Sequence, residues 1–199
     1  MAESDTREII LSIARDIVAS NGLHAVSFDA IAQKLGRSKQ AVLYWFPNKP
    51  ALLAAMFVPW LAAEAGAATA SLETATGRDE AIRSFVIAVA GFHFTDLERF
   101  RMMYLLPQTA RTSATKRQAG PVLDHVHPVT DSLYATLAAH LPGDRNEARR
   151  EALAIHASVL GLVLVFALGD AIRDPLKHGA ADMIETLCRA LTGRTADRP

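Results

Sequence analysis

Residues 27–49, with the sequence SFDAIAQKLGRSKQAVLYWFPNK, constrain the fold of this chain more than any other segment. Phe28 and Leu35 bound a stretch whose apolar residues recur at helical spacing. Gly36 is suited to the positive φ at which helices often end, and Ser38 follows it as the cap of a second helix. The segment is therefore predicted to form two short helices joined by a tight turn, which is the arrangement of a helix-turn-helix.

The charge of this region agrees with DNA binding. Residues 30–63 contain no Asp or Glu, whereas Lys34, Arg37, Lys39 and Lys49 are basic. The 199-residue chain as a whole is formally neutral, with 21 Lys and Arg against 21 Asp and Glu. Positive charge concentrated on a helix-turn-helix attracts a phosphate backbone locally. Charge alone would equally fit a solvated face, so it is the capped two-helix pattern that favours DNA binding.

Helical periodicity continues along most of the chain and predicts an all-α fold. A first helix begins near Asp5 and ends near residues 21–22, which completes a three-helix N-terminal domain. Further helices are predicted over residues 50–71, 78–95, 97–106, 145–172 and 179–191. Residues 107–121 are polar and are predicted to form a loop, and Pro128 is predicted to interrupt or begin the helix that ends near Leu141.

The N-terminal quarter of the chain also has a characteristic order of residues. They are Thr6, Arg7, Ile10, Leu11, Ala14, Gly22, Ser27, Ile31, Ala32, Gly36, Ser38, Lys39, Phe46, Lys49 and Leu52. In order and spacing this pattern resembles the tetracycline-repressor (TetR) family of transcriptional regulators. The resemblance implies a DNA-binding domain at residues 1–49 and a helical effector-binding and dimerisation domain at residues 50–199. The chain departs from the family at Leu43, where a tyrosine is usual, and the candidates to replace that phosphate contact are the residues that follow, either Tyr44 or Trp45.

The recognition helix is predicted over residues 38–46, and two such helices in a symmetric dimer would read a palindromic operator of double-stranded DNA. Lys39 and Gln40 are the candidate base readers, because glutamine pairs bidentately with adenine and lysine donates to guanine. Trp45 is equally compatible with a structural role. The other candidates for the DNA surface, most of them expected to hold phosphates, are Ser27, Arg37, Ser38, Tyr44, Trp45 and Lys49.

The resemblance further implies a small-molecule effector site among the C-terminal helices. Aromatic and thioether side chains suit an apolar pocket, and two polar members, His93 and Tyr104, could each orient a polar group of the effector. The candidates are Phe92, His93, Phe100, Met102, Met103, Tyr104 and Phe166. A helical core needs the same residue types, so only part of this set is expected to contact the effector. The expected effector is apolar or aromatic, and no cofactor and no metal are expected.

One apolar stretch, residues 152–168, is close to membrane-spanning length. It includes His156, and no second apolar stretch stands out, so it is predicted to be a dimer core and not a membrane span. The last two helices are expected to pair across a two-fold axis, with Gly161 allowing close approach and Val163 and Leu187 in the interface. The N-terminus has no secretory signal, and a cytoplasmic location is expected.

Two other classes of protein remain open, an all-helical enzyme and a helix-turn-helix protein used for protein contacts. Ser113 and Lys116 have the spacing of serine acylases, but the partner motifs of those enzymes are absent. His125 and His127 could share a metal only if the chain were locally extended, since residues two apart do not share a helix face. The favoured interpretation is therefore a ligand-responsive regulator without enzymatic activity, most simply a repressor that an effector releases from its operator.

Overall fold

The computed structural model describes residues 3–105, 115–171 and 177–193, and all regular elements in these ranges are helical, which confirms the predicted all-α fold. The N-terminal helices are α1 (Glu3–Asn21), α2 (Phe28–Leu35), α3 (Lys39–Trp45) and α4 (Lys49–Leu72), with a 3-10 turn at Leu23–Ala25. The later helices are α5 (Arg78–Phe94), α6 (Leu97–Phe100), α7 (Thr115–Ala138), α8 (Arg145–Ala171) and α9 (Ala180–Thr192). A π-helical turn, Arg101–Leu105, continues α6.

The helix-turn-helix forms where the local signals place it. The Ser27 hydroxyl accepts a hydrogen bond from the backbone N–H of Ala30 at 3.1 Å, and the Ser38 hydroxyl accepts one from Ala41 at 3.3 Å. Gly36 ends α2 with a φ of 67°, which is the left-handed region that favours glycine. Each helix start and the turn between them therefore match the prediction.

The predicted loop at residues 107–121 is wrong in its second half, and residues 107–114 lie outside the described residues. Helix α7 begins at Thr115 and continues through Pro121 and Pro128. An interior proline removes one helical hydrogen bond and crowds the preceding turn. Beyond Pro128, Leu133 and Leu137 pack into the apolar core, and this burial favours a continuous helix over the break that local preference predicts.

The described residues divide into two compact units. The first spans Met1–Leu61 and Glu98–Pro128, and the second spans Ala62–Leu97 and Val129–Pro199. Helix α4 contributes residues to both, because the division falls inside it. The domain boundary predicted after residue 49 stays a prediction.

Each unit has its own apolar core. In the first unit the core joins α1 to the helix-turn-helix and the start of α4, and its members include Ile10, Leu11, Ile31, Leu52 and Met56. In the second unit α4, α5, α7, α8 and α9 surround a core that includes Ile82, Phe85, Leu137, Ile155 and Cys188. Among the described residues of the second unit, Glu64, His93 and His156 are the buried polar ones.

Two described helices are long and apolar enough to cross a membrane by length and composition alone. They are Lys49–Leu72 and Arg145–Asp170. Only the second was expected from the sequence, so the expectation that no second apolar stretch is present was wrong. Core helices of soluble proteins pass the same test, and α4 and α8 both contribute buried residues to the apolar cores.

Candidate DNA-binding surface and buried polar cluster

Helix α3 presents one exposed face and one buried face. Val42 and Phe46 are buried in the core of the first unit, whereas Lys39, Gln40 and Tyr44 are exposed. Tyr44 is 73% exposed, which is the largest exposure among the big apolar side chains of the described residues. Since the preceding Arg37 and Ser38 are exposed as well, this end of the helix can approach a DNA groove without unfolding.

The predicted base reader Lys39 has an acidic partner that the sequence analysis missed. Its ammonium group lies 2.8 Å from the carboxylate of Asp29 on α2, and the two side chains are 50% and 71% exposed. An exposed ion pair of this kind contributes about 0–1 kcal/mol, so Lys39 can leave Asp29 for a base at small cost. Gln40 has no side-chain partner among the described residues and is free to pair with an adenine.

The ammonium group of Lys49 bonds to backbone carbonyls of its own unit. Its ammonium group donates to the carbonyl oxygen of Val26 at 2.7 Å and lies 3.5 Å from that of Leu23. Partial burial lowers the pKa of Lys49 below the ordinary value for lysine. Lys49 therefore joins the start of α4 to the end of the 3-10 turn, while its role at phosphate stays a prediction.

Replacing Lys49 with methionine is expected to lower the free energy of unfolding by about 1–3 kcal/mol, because the carbonyl of Val26 loses a charged donor. Urea unfolding of the full chain measures this loss. The matched control is Arg37→Gln, which removes an exposed charge and should leave stability unchanged while reducing the salt dependence of DNA binding by about one counterion. Equal stability of Lys49→Met and the unaltered protein would contradict the assignment.

The remaining predicted DNA contacts fall into two groups. The hydroxyl groups of Ser27 and Ser38 accept capping hydrogen bonds, and each keeps its own hydrogen for donation to a phosphate. Trp45 packs against the core of the first unit, with its ring edge to face with Tyr44 at 5.2 Å. This geometry favours the structural role for Trp45 and leaves Tyr44 as the exposed aromatic side chain.

The second unit contains a buried polar cluster formed by α4, α5, α7 and α8. Glu64 Oε1 lies 2.8 Å from His156 Nε2 and 3.2 Å from His93 Nε2. The second nitrogen of His156, Nδ1, lies 3.1 Å from the hydroxyl of Tyr134. Glu64, His93 and His156 are at most 3% exposed, so these contacts lie inside the apolar core.

Glu64 is ionised in this setting. Burial acts to raise the pKa of Glu64, but the hydrogen bonds and charges of His156 and His93 outweigh it and lower the pKa to about 2. The described residues contain no group of three or more with the arrangement of a metal site. His125 and His127 lie in the helical backbone of α7, so the extended chain that a shared metal would need is not formed, and Ser113 lies outside the described residues.

Residues 10–56 match the family model of bacterial regulatory proteins of the tetR family. This segment includes the whole helix-turn-helix and the exposed face of α3. The chain carries a TetR-family DNA-binding domain. No curated protein matches the sequence significantly.

Solved structures extend the likeness from the TetR-family domain to the whole fold. A TetR-family transcriptional regulator, PfmR from Thermus thermophilus, is 19% identical, with 100% of both chains covered and a TM-score of 0.64. The fatty acid degradation regulator FadR from Bacillus halodurans is 16% identical over 100% of both chains, with a TM-score of 0.70. FadR from Bacillus subtilis, solved in complex with stearoyl-CoA, is 13% identical over 95% of this chain and 99% of its own, with a TM-score of 0.67. The chain thus has the fold of TetR-family transcriptional regulators.

Within this TetR-family fold, the residues predicted to bind an effector are divided between the units. Phe92, His93 and Phe166 belong to the second unit, where His93 is buried beside Glu64 and Phe166 meets Phe94 edge to face at 5.2 Å. The other four candidates belong to the first unit and are Phe100, Met102, Met103 and Tyr104.

Three of the four candidates of the first unit have contacts there. Phe100 is buried and lies 5.3 Å from the ring of Tyr104, and Met102 packs on the core of the helix-turn-helix unit. Sequence reasoning missed Glu64 and Tyr134, which join His93 and His156 only through the tertiary fold. The one available signal was Glu64 itself, a lone acid at helical spacing with the buried Ala68 and Leu72.

Proposed function

We propose that this protein is a homodimeric, ligand-responsive transcriptional regulator of the cytoplasm, most simply a repressor that a small apolar or aromatic molecule releases from a palindromic operator. The observation that carries the proposal is the exposed polar and aromatic face of α3, supported on a buried core and flanked by capped turns. A surface of this kind has no function in the fold of the unit itself, and it fits the major groove of DNA.

The proposed roles follow from the placement of each side chain. Gln40 reads a base directly, and Lys39 does so after leaving Asp29. Tyr44 and Arg37 hold phosphates and set the register, together with the capping hydroxyls of Ser27 and Ser38. Lys49 acts mainly by holding the 3-10 turn, and Trp45 by packing.

Gln40→Ala is expected to weaken binding to the preferred operator by about 1–3 kcal/mol and to relax one base position. The reason is that the exposed amide of Gln40 pairs with a base edge, whereas binding to random DNA depends on charge. Fluorescence anisotropy with operator and random duplexes at several salt concentrations measures both. Arg37→Gln serves as the comparison, since it should weaken both duplexes alike, and an equal loss on both for Gln40→Ala would contradict its role as a reader.

The dimer is proposed to form through an exposed apolar stripe on α8. Its members recur at helical spacing and are Leu153, Ala154, Ala157, Gly161, Val165 and Leu168. Val165 and Leu168 are 55% and 53% exposed, and the space above Gly161 is open within 4 Å. A second copy of the chain would cover this stripe across a two-fold axis, with Gly161 at the close approach.

Two residues expected in the interface are not on this stripe. Val163 is fully buried within the single chain, and Leu187 packs against the core of the second unit. Both point inward because they lie on the face of their helix that contacts neighbouring helices of one chain. The expectation that Val163 contacts the partner was therefore wrong, and Val165 and Leu168 replace the pair as test positions.

The effector is proposed to act through α4, which follows the recognition helix in the chain and contributes residues to both units. A hundredfold loss of operator affinity needs about 2.8 kcal/mol of coupling, which is within the usual allosteric range. The complex of Bacillus subtilis FadR with stearoyl-CoA supports a ligand with a long apolar part. Phe92 and Phe166, both in the second unit, remain the proposed contacts.

The deciding experiment is a gel-shift assay of the full chain on the DNA upstream of its own gene, followed by addition of apolar and aromatic compounds that raise its unfolding temperature. A regulator binds one segment in preference to random DNA and releases it with at least one such compound. An enzyme, or a helix-turn-helix used for protein contacts, would leave the DNA unbound. A reporter gene behind the bound segment distinguishes repression from activation.

A further inference from the structure

The first unit has a groove between α1 and α4. It has a volume of about 380 Å³, at the lower end of the range of about 300–1,000 Å³ that is usual for ligand pockets. Space remains between the two helices because α4 contributes two alanines here, whose side chains are too small to fill it. The lining residues are Arg7, Glu8, Leu11 and Arg15 of α1 and Ala54, Ala55, Val58 and Pro59 of α4.

Arg15 brings to this groove a cation that has no anionic partner. Its guanidinium group lies 5.1 Å from the centre of the Trp60 ring, and the residue is half-buried. Within the part of the chain that the structure describes, Arg15 has no hydrogen bond and no ion pair, and its Nε is a buried donor without an acceptor. Removing a charge from water without a partner is unfavourable. An anion bound beside this guanidinium group would supply the missing partner.

The charges of the lining favour a ligand with a single negative charge. Arg7 and Arg15 are cations and Glu8 is a carboxylate, which leaves one net positive charge. Arg7 Nη1 lies 3.3 Å from Glu8 Oε1, and the guanidinium group of Arg7 lies 5.3 Å from the centre of the Phe46 ring. A monoanion neutralises this lining, whereas Glu8 would repel a second negative charge. The other five lining residues are apolar, and they favour an apolar body on the ligand.

We propose that this groove binds a small monocarboxylic acid, with the carboxylate on the guanidinium groups of Arg15 and Arg7 and the apolar body between α1 and α4. Guanidinium groups match the geometry of a carboxylate and bind it through charge-assisted hydrogen bonds. The bound acid joins α1 to α4 and stabilises the first unit, because the unfolded chain does not form the site. The site goes beyond the proposed function, since it shares no residue with the α8 stripe, the exposed face of α3 or the proposed effector contacts.

The test is isothermal titration of the full chain with sodium benzoate, sodium hexanoate and the neutral isostere benzamide. We expect at least one acid to bind with a dissociation constant of about 1 mM or lower, and benzamide to bind about tenfold more weakly or not at all. Tighter binding of benzoate indicates an aromatic acid, and tighter binding of hexanoate indicates an aliphatic one. Failure of both acids to bind at millimolar concentration, or equal binding of benzamide and benzoate, would overturn the proposal. Neither result bears on operator binding, so the proposed function is tested separately.

Tryptophan fluorescence locates the bound acid. The chain contains two tryptophans, so Trp45→Phe leaves Trp60 as the only one. A carboxylate that binds to Arg15 changes the surroundings of the Trp60 ring, because the guanidinium group lies over that ring. The emission of Trp60 should therefore change with added acid and saturate at the dissociation constant from the titration. Heat of binding without any change in Trp60 emission would place the acid elsewhere and contradict the site.

Two variants of α1 should change the affinity for the acid in opposite directions. Arg15→Gln is expected to weaken binding about tenfold or more, because it removes a charged donor. Glu8→Gln should tighten binding about two- to fivefold, because it removes the carboxylate that opposes the ligand. Lys34→Gln, an exposed charge of α2 outside the groove, is the matched control and should bind as the unaltered protein does. If Arg15→Gln fails to fold, Glu8→Gln decides, since the Glu8 side chain is 62% exposed. Unchanged affinity in either folded variant would contradict the site.

Discussion

Replacing Val165 with glutamate is expected to give a folded monomer that has lost operator affinity on the order of a hundredfold or more. Val165 is 55% exposed and lies on the apolar stripe of α8, so the new charge meets no buried surface of its own chain. It does meet the partner, because a two-fold axis places the same residue of both copies in one interface. A monomer holds one half-site at a time and loses the gain in affinity from simultaneous binding. Sedimentation and fluorescence anisotropy measure the two effects.

Two controls make this result specific. Ile87→Glu changes another apolar side chain, 47% exposed on α5 and outside the stripe, and should leave the dimer intact. Val163→Glu puts a charge at a fully buried position and should unfold the chain before it affects pairing. Gly161→Cys, next to the proposed axis, should form a disulfide between two copies on oxidation. A monomeric Val165→Glu variant with full operator affinity would contradict the dimer model.

Replacing Glu64 with alanine is expected to lower the free energy of unfolding by about 3–5 kcal/mol. The carboxylate accepts a hydrogen bond from His156 at 2.8 Å and lies 3.2 Å from His93. Its removal takes the carboxylate away from two buried imidazoles. Glu64→Gln keeps an acceptor oxygen of similar shape and should cost less, which makes it the matched control. Urea unfolding followed by circular dichroism measures both variants. An unchanged midpoint for Glu64→Ala would show that the cluster does not stabilise the fold.

The same carboxylate gives stability a defined dependence on pH. The pKa of Glu64 is about 2 in the folded chain, below the ordinary value of 4.5. A lowered pKa means that the folded state favours the ionised form, so this contribution is complete above about pH 4.5 and is lost as the pH falls towards 2. The Glu64→Gln variant should lack this part of the acid sensitivity. A parallel decline of both proteins between these values would contradict the assignment to Glu64.

Much of the fold could be predicted from the sequence because its signals are local. The capping serines at positions 27 and 38 and the glycine at position 36 act within one helical turn, so Phe28–Leu35 and Lys39–Trp45 form where the pattern predicts. The predicted loop and the predicted break at Pro128 were wrong where the chain forms the helix Thr115–Ala138. The prolines favour a break locally, but the later turns of this helix are buried in a core that distant segments form. A balance of this kind cannot be judged from the residues of one helix.

The functional residues likewise fall into those that local sequence signals predict and those that only tertiary contacts bring together. The sequence by itself determined the helix-turn-helix and the side chains that its second helix presents, because helical periodicity decides which residues share a face. Only the tertiary structure decided that Lys39 meets Asp29, that Lys49 bonds to Val26, and that Glu64 joins two histidines from other helices. These contacts span 10, 23 and 92 positions along the chain, and no local preference encodes a distance of that kind. They arise when apolar burial brings the helices together and each buried polar group must find a partner.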